Sequence, residues 1–169
     1  MPTTGSTTSG KTTARSTTTR RTKNNAIKLL TEDHSKVKKM FKEFAKLSKK
    51  DDRTGKEELA TQICKELTVH AQLEEEIFYP AVREAIDEDD LMNEAMVEHV
   101  SAKDLIAQIQ SMAASDPMYD AVVTVLGEYI SHHVEEEQNE MFPKVQKSDI
   151  DLEELGLEMA ERKAASVED

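Results

Sequence analysis

Two short stretches of this chain place a histidine and a glutamate four residues apart: His70-Ala-Gln-Leu-Glu74 and His133-Val-Glu-Glu-Glu137. Each is followed by a proline ten residues after the histidine, Pro80 and Pro143. On a helix, residues four apart share a face, so each stretch presents an imidazole and a carboxylate side by side. His34 and His99 add two further imidazoles, each set in an apolar pattern. The single cysteine, Cys64, excludes an internal disulfide and any thiolate-rich zinc or iron–sulfur site. The chemistry open to this residue set is metal binding by imidazole and carboxylate, with His34, His70, Glu74, His99, His133 and Glu137 as the candidate ligands.

The elements that must position these residues read as helices. Ile27, Leu30, His34, Val37, Phe41 and Phe44 recur at steps of three and four. After the breaker Asp51–Gly55, Leu59, Ile63, Leu67, His70, Glu74 and Ile77 fall on one face. Beyond the acidic turn Asp87–Asp90, a third helix carries Met92, Ala95, His99, Ala102, Ile106 and Ile109. Ser115-Asp116-Pro117 stops it, and a fourth presents Val122, Leu126, Tyr129, His133, Glu137 and Met141. Pro80 and Pro143 fall late in helices two and four, where each is expected to kink or end the helix. Asp151 to Lys163 can form a short accessory helix. The reading is an all-α, antiparallel up-down four-helix bundle over residues 26–147, with a C-terminal extension over 148–169.

Composition agrees, with 4% aromatic residues, five glycines and no tryptophan in 169 residues, one domain's worth of chain. Residues 1–25 are rich in Thr and Ser and read as a disordered basic tail. The formal charge is −12, and the tail holds five bases and no acid, so the rest carries −17. A body that acidic is not expected to bind nucleic acid. The chain shows no span of membrane length and no secretory leader, so the cytoplasm is the default location and no membrane partner is expected.

The four histidines are expected to lie at one height. In an up-down bundle, facing residues on successive helices are equidistant from the turn between them. The midpoint of 34 and 70 falls at Asp52 and that of 99 and 133 at Asp116, both in breakers; that of 70 and 99 falls between Glu84 and Ala85, a looser agreement. Glu74 and Glu137, facing inward, need a cation, because a buried carboxylate without a partner costs several kcal/mol or takes up a proton. Two ions bridged by two glutamates suit the doubled motif better than one ion with six ligands. Taken singly, His34 or His99 reads more readily as a core histidine; four at one height with two inward glutamates reverse that balance.

At this point the residues resemble the hemerythrin-like, or HHE cation-binding, domain family, through His70-Ala-Gln-Leu-Glu74 to Pro80 and His132-His133-Val-Glu-Glu-Glu137 to Pro143. The resemblance implies a non-haem di-iron centre with an oxygen bridge. It gives Glu74 and Glu137 as the shared carboxylates, His34 and His70 on one iron, and His99 and His133 on the other. It also implies a small diatomic ligand such as oxygen or nitric oxide. Oxygen-carrying members have a further histidine where this chain has Lys103, a poor ligand when protonated, which leaves that place to water or a carboxylate.

Several neighbours read more simply as structure. His132 with Glu136 forms a parallel pair one residue out of phase with His133 and Glu137, and is taken as a boundary residue. Glu75, Glu76, Glu135 and Glu136 are taken as a solvated face, Cys64 as core, and Tyr129 either as core or as a hydrogen-bond donor to the bound species. No general base beyond the ligands, phosphate loop or second substrate domain is apparent, so a binding or sensing protein is favoured over an enzyme. The alternatives are a di-iron oxidase, peroxidase or iron-handling protein, and a bundle whose metal is structural or regulatory. Manganese and zinc suit the same donors as iron.

Overall fold

A computed structural model describes residues 25–168, and these are helical with no strand among them. The basic tail expected over residues 1–25 lies, but for Asn25, outside the described residues. Helix α1 runs Ala26–Lys49 and α2 Arg53–Leu73, which continues through a π-helical turn Glu74–Phe78 into α3, Tyr79–Ala85. Helix α4 spans Asp89–Ser111, and α5, Tyr119–Glu136, continues through a second π-helical turn Glu137–Met141 into α6, Phe142–Gln146. Helix α7, Leu152–Glu168, is the last element among the described residues.

The termini follow local chemistry. The side chain of Asn25 caps α1 by accepting from the Lys28 amide, and Asp52 caps α2 by accepting from the Gly55 amide. The break between them is shorter than expected, with Asp51 in the left-handed region at φ 53° and Gly55 already inside α2. A Cβ at Gly55 would lie 2.6 Å from Asp52 Oδ2, so glycine there makes room for the cap. Asp89 and Asp90 open α4 in its first turn, where the helix dipole favours negative charge.

Helices α1 and α2 pack together, α4 packs on α5, and the pairs meet through α1 with α5 and α2 with α4. Two apolar clusters form. One, toward the α1–α2 and α4–α5 turns, includes Val37, Phe44, Ile63, Leu67, Ile106 and Leu126. The other, at the opposite end, includes Leu30, Leu73, Phe78, Met92, Met141 and Met159. Along all four long helices the histidines fall between these clusters, so the polar layer is sealed above and below by hydrocarbon.

Of the two outcomes expected at the prolines, an end to the helix is ruled out. Neither Pro80 nor Pro143 ends its helix; each sits at the second position of a helical segment that follows a π-helical turn. Proline removes an amide and crowds the carbonyl four residues back, and the wider π turn, closed by Tyr79 N–H to Glu74 O and Phe142 N–H to Glu137 O, absorbs both. The C-terminal helix is more than an accessory. It packs on α1 and α2, buries Met159 completely, and sends Lys163 to the carboxylate of Asp33.

Candidate metal centre

All six residues singled out in the sequence are buried and converge between the two apolar clusters. His34 on α1 and His70 on α2 bring their Nε2 atoms to 3.1 Å, and His99 on α4 and His133 on α5 bring theirs to 3.2 Å. Glu74 lies between the pairs, with Oε1 3.0 Å from His70 Nε2 and Oε2 3.0 Å from His99 Nε2. Glu137 places Oε2 3.3 Å from His34 Nε2 and 3.8 Å from His133 Nε2. Two overlapping sets result: His34, His70, Glu74 and Glu137, and Glu74, His99 and His133.

The outer ring nitrogens explain why all four Nε2 atoms face inward. His70 Nδ1 donates to Asp33 Oδ2 at 3.4 Å, His99 Nδ1 to Glu75 Oε1 at 2.8 Å, and His133 Nδ1 to Glu98 Oε2 at 2.6 Å. A carboxylate on Nδ1 fixes the tautomer and aims the Nε2 lone pair at the centre. His34 Nδ1 faces the side-chain amide of Gln138 at 3.2 Å, and a half-turn of that amide presents its oxygen to the N–H.

This donor set fits a cation. Two imidazole lone pairs 3.1 to 3.2 Å apart repel each other unless a proton or an ion lies between them. Glu74 Oε1 and Glu137 Oε2 are buried and accept no hydrogen bond, although imidazole nitrogens lie near both. Donor separations near 3 Å are also what bonds of about 2.1 Å give when they meet at roughly right angles. The charge balance asks for the same thing. Burial by itself would depress the His70 pKa, but Glu74 and Asp33 outweigh it and raise it to about 10. Burial opposes protonation of His133 likewise, and Glu74 and Glu98 raise it to about 11. Burial pushes the Glu74 carboxyl up, and His70, His133 and His99 reverse that and hold it well below the usual carboxylate range.

Sequence reasoning missed Tyr79. Its hydroxyl donates to Glu137 Oε1 at 2.7 Å and lies 3.2 Å from His99 Nε2, 3.4 Å from His133 Nε2 and 3.4 Å from Glu74 Oε2. A steady helical phase turns Ile77 and Phe78 inward after Glu74, but in the π turn residues five apart stand one turn apart, so Tyr79 also points into the bundle. The adjacent Pro80 was the signal for that change of phase. Burial first, and then the facing Glu74 and Glu137, hold the Tyr79 hydroxyl well above its usual range.

Other expectations are corrected nearby. Glu75 is no solvated residue: it joins His99 to Lys103, whose Nζ lies 2.6 Å from Glu75 Oε2. Lys103 therefore braces the site from outside, and on that side the Tyr79 hydroxyl stands beside His99 and His133. Tyr129 is 42% exposed, outside the core, and lines a partly open space of about 130 Å³. All four histidines line that space, together with Val37, Leu67, Ala102, Ile106, Ile130 and Val134. His132 is exposed and pairs with Glu136 at 3.2 Å. Cys64 is buried in the core as expected, and burial pushes its thiol up to about 11.

Comparison with known proteins agrees with this geometry. Over 116 residues the chain is 34% identical to a protein of Nostoc sp. named DNA nickase, matching 69% of this chain and 32% of that protein; the chain thus spans about a third of that relative's length. The crystal structure of a hemerythrin HHE cation-binding domain-containing protein from Mycobacterium kansasii superposes with a TM-score of 0.70 at 25% identity, covering 84% of this chain and 86% of that one. Residues 25–145 match the family described as the hemerythrin HHE cation-binding domain. With the match spanning most of the described residues and the histidines and glutamates gathered in the bundle's middle, the chain belongs to the hemerythrin HHE cation-binding domain family.

Proposed function

We propose that this chain is a di-iron protein whose centre binds oxygen or a related small molecule, such as nitric oxide or peroxide, for sensing, storage or stress response. The observation that carries this reading is the convergence of four Nε2 atoms on two buried carboxylates, with oxygen atoms left unbonded, between two apolar clusters. His34, His70, Glu74 and Glu137 would hold one ion, and Glu74, His99 and His133 the other, with the Tyr79 hydroxyl alongside. Bound iron would supply a redox-active Lewis acid able to take a diatomic ligand. Manganese and zinc accept the same nitrogens and carboxylates, and a phenol oxygen among them favours the harder ferric ion.

The chain's own residues supply the rest. The space of about 130 Å³ beside the histidines is lined by Val37, Leu67, Ala102, Ile106, Ile130 and Val134 as well as by Asp33, Glu98 and Lys103, and it has room for a small molecule such as oxygen. Lys103 and Lys163 hold the carboxylates Glu75 and Asp33 in place on the outer imidazole nitrogens. The Tyr79 hydroxyl, the one phenol at the centre among the described residues, donates its proton to Glu137 Oε1 across an oxygen–oxygen distance of 2.7 Å.

DNA nicking is left out of the proposal. The match covers 32% of the relative that carries that name, and the present chain has a formal charge of −12. No described helix is long and apolar enough to cross a membrane.

The test is metal analysis of protein purified without added metal, followed by its visible spectrum with and without oxygen. Two irons per chain and an oxygen-dependent spectrum that His70→Ala abolishes are expected. A spectrum unchanged in that variant would defeat the reading.

A further inference from the structure

The bundle is built from two matching halves. Asp33, His34 and Lys38 on α1 correspond to Glu98, His99 and Lys103 on α4. His70, Glu74, Glu75, Tyr79 and Pro80 correspond to His133, Glu137, Gln138, Phe142 and Pro143. The roles correspond as well. Asp33 crosses to His70 Nδ1 as Glu98 crosses to His133 Nδ1. Glu75 reaches His99 Nδ1 from the first π turn, and Gln138 reaches His34 Nδ1 from the second.

The halves depart from each other in chemistry at two of these places, and both departures fall on His34. Where Glu75 puts a carboxylate braced by Lys103 on His99, Gln138 puts a neutral amide on His34. Where Tyr79 turns a hydroxyl toward His99 and His133, the Phe142 ring stacks on His34, with centroids 6.0 Å apart and planes 3° from parallel. The His34 side also has an opening of its own. An open groove of about 670 Å³ between α1 and α5 reaches His34 and is lined by Lys38, Phe41, Ser131, Val134 and Gln138.

We infer that the two metal positions are unequal by construction: the His99–His133 position retains its ion, and the His34–His70 position exchanges its ion through the α1–α5 groove, with Gln138 setting the rate. A carboxylate on Nδ1 makes the ring a stronger donor and fixes its orientation, and loss of such a partner changes metal affinity by about tenfold to a hundredfold. An amide does this less well because it carries no charge. The inference rests on the two-metal reading above, and the test separates the two.

The full chain is loaded with two equivalents of Co²⁺, challenged with excess EDTA, and the release of cobalt is followed by its visible absorption. Wild type is expected to release one ion fast and one slowly, with rates at least about tenfold apart. Gln138→Glu should slow the fast phase toward the slow one, and Glu75→Gln should speed the slow phase, with helix content by circular dichroism unchanged in both. Release of two ions in a single phase by wild type overturns the inference and leaves the two-metal reading standing. Two phases that neither variant shifts overturn it equally. Binding of fewer than two Co²⁺ ions per chain overturns the two-metal reading, and the inference with it.

Discussion

The hydroxyl of Tyr79 donates to Glu137 Oε1 at 2.7 Å, tying the helix that follows one π turn to the carboxylate that opens the other. Both residues are almost completely buried, and Tyr79 is also within 3.4 Å of two imidazole nitrogens and of Glu74. A phenol so placed has no apolar reason to be there. Its oxygen is placed where it could join His99 and His133 around an ion.

Tyr79→Phe is therefore expected to leave the fold intact and to change the metal. In iron-loaded protein the wild type should show a visible phenolate-to-iron band that the variant lacks, and the variant's affinity for the ion at His99–His133 should fall by about tenfold. Equal spectra for the two proteins would remove Tyr79 from the donor set.

Metal binding should depend on pH with a fixed sign. In the metal-free fold His70 is raised to about 10 and His133 to about 11, so at neutral pH an ion must displace their protons. Apparent affinity for Co²⁺ is expected to rise from mildly acidic to mildly alkaline pH, with protons released on binding. Calorimetry in buffers of different ionisation enthalpy counts those protons; a release of none would contradict the charge balance of the site.

The same shifts give the metal-free protein a stability profile. Both histidines bind protons more tightly folded than unfolded, so their contribution is full below the ordinary value of 6.5 and is lost as pH rises through about 10 to 11. Chelated protein should show a Tm that falls through that window. Loaded protein, whose imidazoles hold an ion instead, should not follow it, and parallel profiles for the two forms would count against metal binding at His70 and His133.

The C-terminal helix should matter to the centre as well as to the fold. Lys163 holds Asp33, and Asp33 orients His70. Lys163→Met leaves a buried carboxylate short of its cation, at a cost of about 1 to 3 kcal/mol in the metal-free protein. Cobalt release from the His34–His70 position should quicken at the same time. A lower Tm with unaltered release would confine Lys163 to the stability of the fold.

Much of this was legible in the chain itself. The helical phase of Leu30, His34 and Val37, or of Ala95, His99 and Ala102, follows from an apolar stripe of fixed period, and the breakers at Asp52 and Asp116 set the histidines at one height. The spacing of His70 to Glu74 and of His133 to Glu137 put both clamps on inward faces, because backbone geometry alone decides which residues share a side of a helix. What sequence reasoning lost was phase at the two prolines. A π turn adds one residue to a turn, and beyond it the constant period no longer says which side chains point inward; Tyr79 was missed for that reason, and Ile77 was expected in its place. The partners of the outer ring nitrogens were decided by tertiary structure. Asp33 stands next to His34 in the chain but serves His70, Glu98 stands next to His99 but serves His133, and Glu75 and Gln138 reach across to His99 and His34. Residues adjacent in a helix point about 100° apart, so the neighbour of an inward histidine can only meet the imidazole of the next helix. Which imidazole receives a carboxylate and which an amide, and so how firmly each ion would be held, is settled when the four helices pack.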